Sequence, residues 1–424
     1  MNKCMCGCGR LCKSKYILGH NSRDRVFNWG NKISMANKGK LPWNINKKLT
    51  KAHRLKLSKS HIGIQALEKH PNWKGGTSFE PYSIDIRRTK DIIRKMYKEV
   101  CQVCRKDGNE IHHIDYDKKN GSMNNLICLC KSCHSKTNYN RTEWITYFNK
   151  PIIVITGSEG MIGKELQDLL QDRKDIFIRC IDLKLGLDLT DKKLCKQILY
   201  GVDTVYSLVG VKGNPKMTKE RPIDFMVPML QFDTNLIECA QQNNVKRFLY
   251  TSSIAVENPE SDKYPAWAKK TAEMLIEAMR IQYPEGTKYC IVRPANVYGK
   301  HDNFANSDAM VITKLIFEAM CSNKLVLDKK GCLQTRDFIH AKDVALGMVK
   351  AIEELPDYPV NLCSETETSI KEVAEIIAKH YKIKIEYKDL NLVLGPNKKL
   401  MKLNWDFKPT FDIKTGLAEV LRDN

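Results

Sequence analysis

The sequence lacks any hydrophobic run long enough to cross a membrane, because such a helix needs about 20 consecutive apolar residues. Its N-terminus, MNKCMCGCGR, also lacks the apolar core of a secretory signal peptide. These two absences predict a protein without a membrane anchor that works in the cytoplasm. Disulfides are rare in that reducing compartment, so close pairs of cysteine are expected to bind metal instead.

Acidic residues are scarce in the first 150 positions. This segment carries 31 Lys and Arg against 11 Asp and Glu, whereas the remaining residues carry 39 against 38, so nearly all of the net charge of +21 lies in it. Such an excess suits a polyanion such as DNA or RNA, although a lysine-rich solubilising surface is the alternative. The length and charge predict two or three domains, with a basic segment joined to a neutral one near Asn149.

The first 70 residues contain a cysteine cluster and a repeat. Five potential zinc ligands fall within 17 residues, where a tetrahedral site needs four, and a disordered cysteine-rich tail is the alternative. These ligands are Cys4, Cys6, Cys8, Cys12 and His20. Residues 32–40 and 56–64 repeat a short basic helix closed by glycine. They resemble the DNA-binding repeats of homing endonucleases, and a solvated pair of charged helices is the alternative. We therefore expect a zinc-binding piece at residues 1–25 and DNA-binding repeats at residues 30–70.

A second cysteine cluster has the spacing of a zinc knuckle. Two C-x2-C pairs, 25 residues apart, would supply four thiolates to one Zn²⁺. The pairs are Cys101 with Cys104 and Cys130 with Cys133. The stretch between and after them, HHIDYDKKNGSMNNLICLCKSCH, resembles HNH endonucleases, and the resemblance covers residues 72–148.

The HNH resemblance implies a zinc-stapled ββα module that cleaves DNA with Mg²⁺ or a similar divalent ion. In that family's pattern His113 would be the general base, His112 and His134 would be metal ligands, and Asn125 would fix the hairpin. A neutral imidazole accepts a proton near pH 7, and a hard cation stabilises the departing 3′-oxygen. An inactive, zinc-bound module that only binds DNA is the alternative.

A glycine-rich turn opens the neutral segment. The G-x-G-x-x-G of ordinary dehydrogenases is absent, and the spacing is G-x-x-G-x-x-G after a short buried strand. The glycines are Gly157, Gly160 and Gly163. Their amides, with those of Met161 and Ile162 at the following helix start, would bind a pyrophosphate.

Alternating strand and helix patterns follow the turn and predict an α/β fold with a doubly wound parallel sheet. We expect strands at residues 152–155, 176–181, 202–209, 247–252 and 289–293, with helices at residues 222–243, 265–282, 369–380 and 412–421. Asp182 ends the second strand. A carboxylate there would accept hydrogen bonds from the adenosine ribose and repel a 2′-phosphate, which predicts NAD rather than NADP.

From Ile152 onwards the sequence resembles the extended short-chain dehydrogenases, the NAD-dependent nucleotide-sugar epimerase/dehydratase family. The motifs that carry the resemblance are TSSIAVE, RPANVYG, QTRDFIHAKDVA and LNWDFKPTFDIKTGL, in that order. The family implies a Rossmann domain at residues 151–324, a small substrate-binding lobe at residues 325–424, a nucleotide-sugar substrate and a homodimer through two Rossmann helices. It also implies roles for individual residues: Asp188 and Leu189 at the adenine, Val209 in the loop along the cofactor, Ser253 as a catalytic hydroxyl, and Asn296 and Arg336 at the substrate.

The sequence departs from the family at its Tyr-x-x-x-Lys motif. Alignment makes Lys269 the catalytic lysine, which would bind the nicotinamide ribose, but places Pro265 where the tyrosine belongs. Tyr264 stands one residue earlier and is the candidate acid/base. A helix that begins at Pro265 would leave Tyr264 on the entering coil, free to turn inward.

The sequence therefore predicts an NAD-dependent nucleotide-sugar epimerase or dehydratase fused to an N-terminal HNH endonuclease. Ile254 and Ala255 follow Ser253 where dehydratases carry an acid pair, which favours an epimerase. Two alternatives remain. One is a DNA-acting protein whose Rossmann part only binds NAD, and the other is a sugar enzyme with an inactive nucleic-acid-binding appendage.

Overall fold

A computed structural model describes the chain at residues 2–3, 11–12, 50–52, 55–56, 86–211, 213, 215–302, 304, 309–390 and 400–422. Four of the predicted N-terminal zinc ligands lie outside these residues, namely Cys4, Cys6, Cys8 and His20. Most of the predicted DNA-binding repeats lie outside them as well. The chain divides into two compact units, Met1–Glu80 and Pro81–Asn424. The described part of the first unit includes a short antiparallel pair, β1 (Asn2–Lys3) and β2 (Leu11–Cys12).

The second unit begins with a segment that we name the hairpin module, residues 86–148. Its elements are α1 (Ile86–Met96), β3 (Glu110–His113), β4 (Leu126–Leu129), α2 (Lys131–Lys136) and α3 (Arg141–Phe148). Strands β3 and β4 pair antiparallel, with His112 opposite Ile127, and α2 starts two residues after β4. The chain therefore has the order of elements that a ββα segment requires.

A six-stranded parallel sheet follows the hairpin module, with the strand order β13–β9–β8–β7–β5–β6. Its strands are β5 (Ile152–Thr156), β6 (Phe177–Ile181), β7 (Thr204–Ser207), β8 (Arg247–Thr251), β9 (Lys288–Pro294) and β13 (Val360–Leu362). Parallel neighbours need crossover connections, and helices supply them here. The predicted doubly wound α/β sheet is thus confirmed.

Helices cover both faces of this sheet. The helices before β9 are α4 (Met161–Leu170), α5 (Lys192–Ile198), α6 (Pro215–Glu220), α7 (Pro222–Gln242) and α8 (Lys263–Gln282). Successive strand residues point to opposite faces. Accordingly, Val154 lies in one buried apolar cluster and its neighbours Ile153 and Ile155 lie in another.

The C-terminal part adds a smaller layer and returns one strand to the sheet. Its elements are β10 (Asn296–Tyr298), α9 (Val311–Cys321), β11 (Lys324–Asp328), β12 (Thr335–His340), α10 (Ala341–Glu354), β14 (Glu367–Ser369), α11 (Ile370–Tyr381), β15 (Lys384–Lys388) and α12 (Ile413–Arg422). Strand β12 pairs with β10 and β14, and β11 pairs with β15. A third apolar cluster, with Ile316, Leu325 and Val373 among its members, forms the core of this layer.

The hairpin module and the sheet share one core. A single buried cluster contains Ile93 and Met96 of α1 together with Phe177 of the edge strand β6. Arg179, fully buried on β6, donates from Nη2 to the Met123 carbonyl at 2.7 Å and from Nε to the Tyr97 hydroxyl at 3.3 Å. The join near Asn149, predicted from charge, is therefore not a break in packing.

None of the helices in the described ranges combines the length and the apolar character that a membrane crossing requires.

Candidate functional site

The glycine turn between β5 and α4 closes only because its key positions carry no side chain. Gly157 has φ of +64°, a conformation that residues with a Cβ rarely adopt. A Cβ at Gly163 would lie 2.4 Å from the Gly157 carbonyl oxygen and 2.8 Å from the Ser158 Cα. Backbone therefore packs directly against backbone at the point where a dinucleotide phosphate is expected.

Helix α4 begins at Met161, as predicted, with Gly160 as its N-cap. The first amides of a helix have no partner within it and carry a partial positive charge. A diphosphate fits this donor set, so the turn and the α4 start are the residues that would hold the phosphates of NAD. The phosphate contacts of Met161 and Ile162 stay a prediction.

Asp182 lies beside the glycine turn, at the end of the neighbouring strand β6. Its carboxylate accepts hydrogen bonds from the amides of Glu159 and Lys184, each at 2.9 Å. A carboxylate has about four acceptor positions, so it retains capacity for the ribose hydroxyls. The sequence missed the first of these bonds, through which Asp182 also holds the turn in place.

Three further cofactor residues were predicted from the family. The Val209 amide would lie 3.0 Å from a Cβ at Gly157, so the loop after β7 does reach the glycine turn. Leu189 is buried, and the Asp188 carboxylate accepts from the Thr190 amide at 2.9 Å. The roles of Asp188 and Leu189 at the adenine stay predictions.

The predicted catalytic lysine is buried in a polar pocket behind β8. Lys269 Nζ lies 3.8 Å from Asp233 Oδ2 and 4.7 Å from the centre of the Tyr250 ring. The Tyr250 hydroxyl donates to the same Asp233 oxygen at 2.7 Å. Burial lowers the pKa of Lys269 and raises that of Asp233, because both charged forms lose water. Nothing in the sequence indicated that Asp233 would pair with Lys269, because a single aspartate within a helix is usually a solvent-exposed polar residue.

Tyr264 does not share a helix face with Lys269. The predicted helix start at Pro265 is wrong, because α8 begins at Lys263 and so includes Tyr264 in its first turn. Lys269 lies five positions after Tyr264, which at about 100° per residue places the two side chains roughly 140° apart around the helix. The family's spacing of four residues would bring the two side chains onto one face.

The Ser253 hydroxyl already has a structural role. Its oxygen accepts from the Ala255 amide at 3.2 Å and caps the short turn of residues 254–257 after β8. The neighbouring Ser252 donates to Glu273 at 2.5 Å, and Arg293 donates to both oxygens of Glu273 at 2.9 and 2.6 Å. This network fixes the ends of β8 and β9 around Ser253.

The two predicted substrate residues lie in one small sheet. Asn296 of β10 donates to the Asp337 carbonyl of β12 at 2.8 Å. Arg336, the preceding residue on β12, donates to the Thr335 carbonyl at 2.7 Å. Burial lowers the pKa of this guanidinium, as expected for a cation without a carboxylate partner. A diphosphate would be a suitable partner, and this contact stays a prediction.

Four cysteines of the hairpin module converge. The Sγ atoms of Cys101, Cys104, Cys130 and Cys133 all lie within 4.8 Å of one another. The Cys133 amide donates to Cys130 Sγ at 3.4 Å and lowers the pKa of the Cys130 thiol, whereas burial raises the pKa of the Cys133 thiol. The donor set therefore fits a structural Zn²⁺. Cys128 stays apart, buried in β4, where it donates to the Gly108 carbonyl at 3.0 Å.

The histidines of the module are only partly brought together. The rings of His112 and His134 lie 5.2 Å apart, and burial lowers the pKa of His112 to about 4, so this imidazole is neutral. His134 Nδ1 already pairs with Glu110 at 2.5 Å. In the described part of the chain these residues do not form a group of three ligand atoms within 4.8 Å, unlike the cysteines. Asn125 accepts from the Asp115 amide at 3.0 Å and thus holds the hairpin loop, which agrees with its predicted role.

Comparisons with known proteins agree with this geometry. Residues 153–363 match the model of the NAD dependent epimerase/dehydratase family. The chain is 26% identical over 266 residues to GDP-L-fucose synthase of Escherichia coli K12, covering 54% of this chain and 81% of that protein. It is 25% identical over 300 residues to GDP-L-colitose synthase of Yersinia pseudotuberculosis, covering 63% and 96%.

A solved structure shows the same fold. UDP-glucose 4-epimerase of Thermotoga maritima superposes with a TM-score of 0.57 at 18% identity, covering 64% of this chain and 98% of that one. In this chain the matched family residues include the glycine turn and the strands of the six-stranded parallel sheet from the second residue of β5 onwards. Residues 153–363 of this chain belong to the NAD-dependent epimerase/dehydratase family.

Proposed function

We propose that residues 151–424 bind NAD and a nucleotide sugar and catalyse hydride exchange at a carbon of the sugar. The observation that carries the proposal is the closed glycine turn with Asp182 beside it, which fits a dinucleotide. The relatives support the substrate class, since their names describe synthases of GDP-linked sugars. When bound, NAD would supply the hydride acceptor and donor.

In this proposal the chain's own residues bind the substrate and move its proton. Tyr264 takes the proton from a sugar hydroxyl, and the Ser253 hydroxyl donates a hydrogen bond to the oxygen as it gains charge. Arg336 binds the diphosphate of the sugar nucleotide, for which its half-buried guanidinium has no carboxylate partner among the described residues.

We propose an epimerase rather than a dehydratase. Ile254 and Ala255 follow Ser253, are both buried, and offer no acid to protonate a departing hydroxyl. Incubating the protein with NAD and UDP-, GDP- or dTDP-linked sugars, then resolving the products by chromatography, tests this. An epimerase gives a product of unchanged mass, whereas a dehydratase gives one that has lost water.

Replacing Gly163 with alanine should raise the dissociation constant for NAD at least tenfold, as measured by calorimetry. The added Cβ would lie 2.4 Å from a backbone oxygen of the turn, so the turn must open. Lys174→Ala is the control, because it changes an exposed side chain beyond the end of the same helix, α4. Equal NAD affinity in parent and Gly163→Ala would remove the turn from the cofactor site.

We also propose that the hairpin module is a metal-dependent DNA nuclease. Two observations favour it: a hairpin followed directly by a helix carries His112, His113 and His134, and the four cysteines provide a zinc-type staple. Burial lowers the pKa of His113, so the imidazole is neutral and able to accept a proton from water near pH 7. The +20 excess of residues 1–150 supplies the affinity for DNA.

His113→Ala should lower the rate of Mg²⁺-dependent plasmid nicking tenfold or more, because it removes the base that activates water. Agarose gels of supercoiled plasmid against time provide the measurement, and His380→Ala, an exposed histidine of α11, is the matched control. If His113→Ala nicks like the parent, His113 is not the base. A parent that binds DNA but never nicks it would identify an inactive DNA-binding module.

A further inference from the structure

One lysine of the hairpin module reaches the glycine turn. Lys98, just after α1, forms an ion pair with the Glu159 carboxylate and donates to Gln167 Oε1 at 2.7 Å. The Lys98 side chain is 33% exposed and that of Glu159 only 20%, so solvent screens this pair less than a surface pair. A residue from the basic segment is thus part of the wall of the predicted cofactor site.

Gln167 continues this contact into the turn itself. Its Nε2 donates to the Ser158 carbonyl at 2.6 Å and to the Gly163 carbonyl at 2.9 Å. These two carbonyls lie on opposite sides of the turn, so a single amide group ties its entry to its exit. Lys98 donates to the oxygen of the same side-chain amide and so holds this amide in place.

The backbone around Lys98 is unusual. Lys98 and Glu99 both have positive φ, 51° and 55°, although both carry side chains. Residues with a Cβ rarely adopt this region, and two in succession persist only where the surroundings enforce them. Hydrogen bonds from the Lys98 amide to Lys95 and from the Glu99 amide to Arg94, each at 3.0 Å, close the turn that directs Lys98 away from α1.

Glu159 explains why a cation is needed here. It lies between the first two glycines of the turn, where the dinucleotide is expected to place a diphosphate with two negative charges. An unpaired carboxylate at this position would repel that diphosphate, since the site is partly shielded from water. With Lys98 beside it, the pair is neutral and the amides of the turn dominate the local potential.

We propose that Lys98 is a positioning residue of the cofactor site, through which the hairpin module neutralises Glu159 and holds the glycine turn in its binding shape. The inference rests on the proposed binding of a dinucleotide at the turn. It assigns the N-terminal segment a role in cofactor affinity that is separate from any action on DNA.

A double-mutant cycle in the full-length protein tests the proposal. Lys98→Met, Glu159→Gln, the double variant and the parent are titrated with NAD and with ADP-ribose by calorimetry, and their zinc content is measured. We expect Lys98→Met to weaken both ligands about tenfold, because the effect acts on the shared diphosphate. In the Glu159→Gln background the same change should weaken them less than about threefold, since no unpaired carboxylate remains. Lys136→Met, which removes an exposed lysine from the same module, should bind like the parent.

Two results would overturn the proposal. An equal loss of affinity from Lys98→Met with and without the Glu159 carboxylate would show that Lys98 acts only by supporting the hairpin module. Unchanged affinity in Lys98→Met would show that the ion pair does not matter. A parent that binds neither NAD nor NADP would instead refute the proposed function, and this inference with it.

Discussion

Deletion of residues 1–150 should leave residues 151–424 largely insoluble, or should lower their melting temperature by roughly 10 °C or more relative to the full chain. The reason is the core that the hairpin module shares with the sheet. Ile93 and Met96 are completely buried, Tyr97 and Phe148 almost so, and all four belong to the cluster that contains Phe177 of the edge strand.

The expected loss is comparable to the whole stability of a domain. Burying one large apolar side chain stabilises a fold by about 1.5–3 kcal/mol, so four of them contribute roughly 6–12 kcal/mol at most. Natural domains unfold with only about 5–15 kcal/mol. Deletion would also expose the edge strand β6, and an exposed, apolar edge is prone to pair with other chains.

The two-unit division of the chain provides the control. Deletion of residues 1–80 removes the first compact unit and leaves the shared core intact, so this variant should remain soluble with a melting temperature close to that of the parent. Circular dichroism during heating measures both deletions. If residues 151–424 alone are as stable as the full chain, the shared core does not stabilise the sheet.

Local patterns in the sequence predicted the cofactor half of the fold correctly. Four consecutive β-formers before Gly157 favour a short buried strand, and three glycines at this spacing favour a tight turn followed by a helix. The structure has β5, the turn and α4 at these residues. The information was local, because a turn of this kind is determined by which of its own residues lack a Cβ.

The contacts that join the two segments could not be predicted in the same way. Arg179 is a charged residue within an apolar strand, and its burial depends on Tyr97 and Met123, which lie 82 and 56 residues away. Asp233 likewise pairs with a lysine 36 residues later in the chain. No periodicity or motif encodes such long-range pairs. The charge difference even suggested that the basic and neutral segments fold independently. Net charge reflects the surface residues of each segment and carries no information about the apolar core that they share.

The start of α8 decides how Tyr264 is placed, and it was predicted two residues too late. Proline is favoured in the first turn of a helix, where its missing N–H costs nothing, but this preference does not select one position. Pro265 is the third residue of α8, still within the first turn. As a result Tyr264 is held by the helix, about 140° from Lys269, instead of being free on a coil.

Tyr264→Phe should lower kcat for hydride exchange by about 100- to 10,000-fold, the usual contribution of a general acid or base, while the dissociation constant for NAD stays the same. The phenol must act without direct help from Lys269, because that lysine is buried against Asp233. Deuterium transfer from labelled sugar nucleotides, followed by mass spectrometry, measures the exchange. Tyr283→Phe, which changes a partly exposed tyrosine just after the same helix, is the matched control.

The outcomes distinguish two roles for residues 151–424: an enzyme that exchanges hydride with a sugar nucleotide, and a domain that only binds NAD. A large fall in kcat for Tyr264→Phe, with a normal Tyr283→Phe, identifies Tyr264 as the acid/base despite its shifted position. An unchanged kcat means that another group carries the proton. If the parent binds NAD tightly but exchanges no deuterium with any sugar nucleotide, the substitution of Pro265 for the family's tyrosine has removed the chemistry. The domain then binds the cofactor without using it, and the activity of the chain rests with the hairpin module.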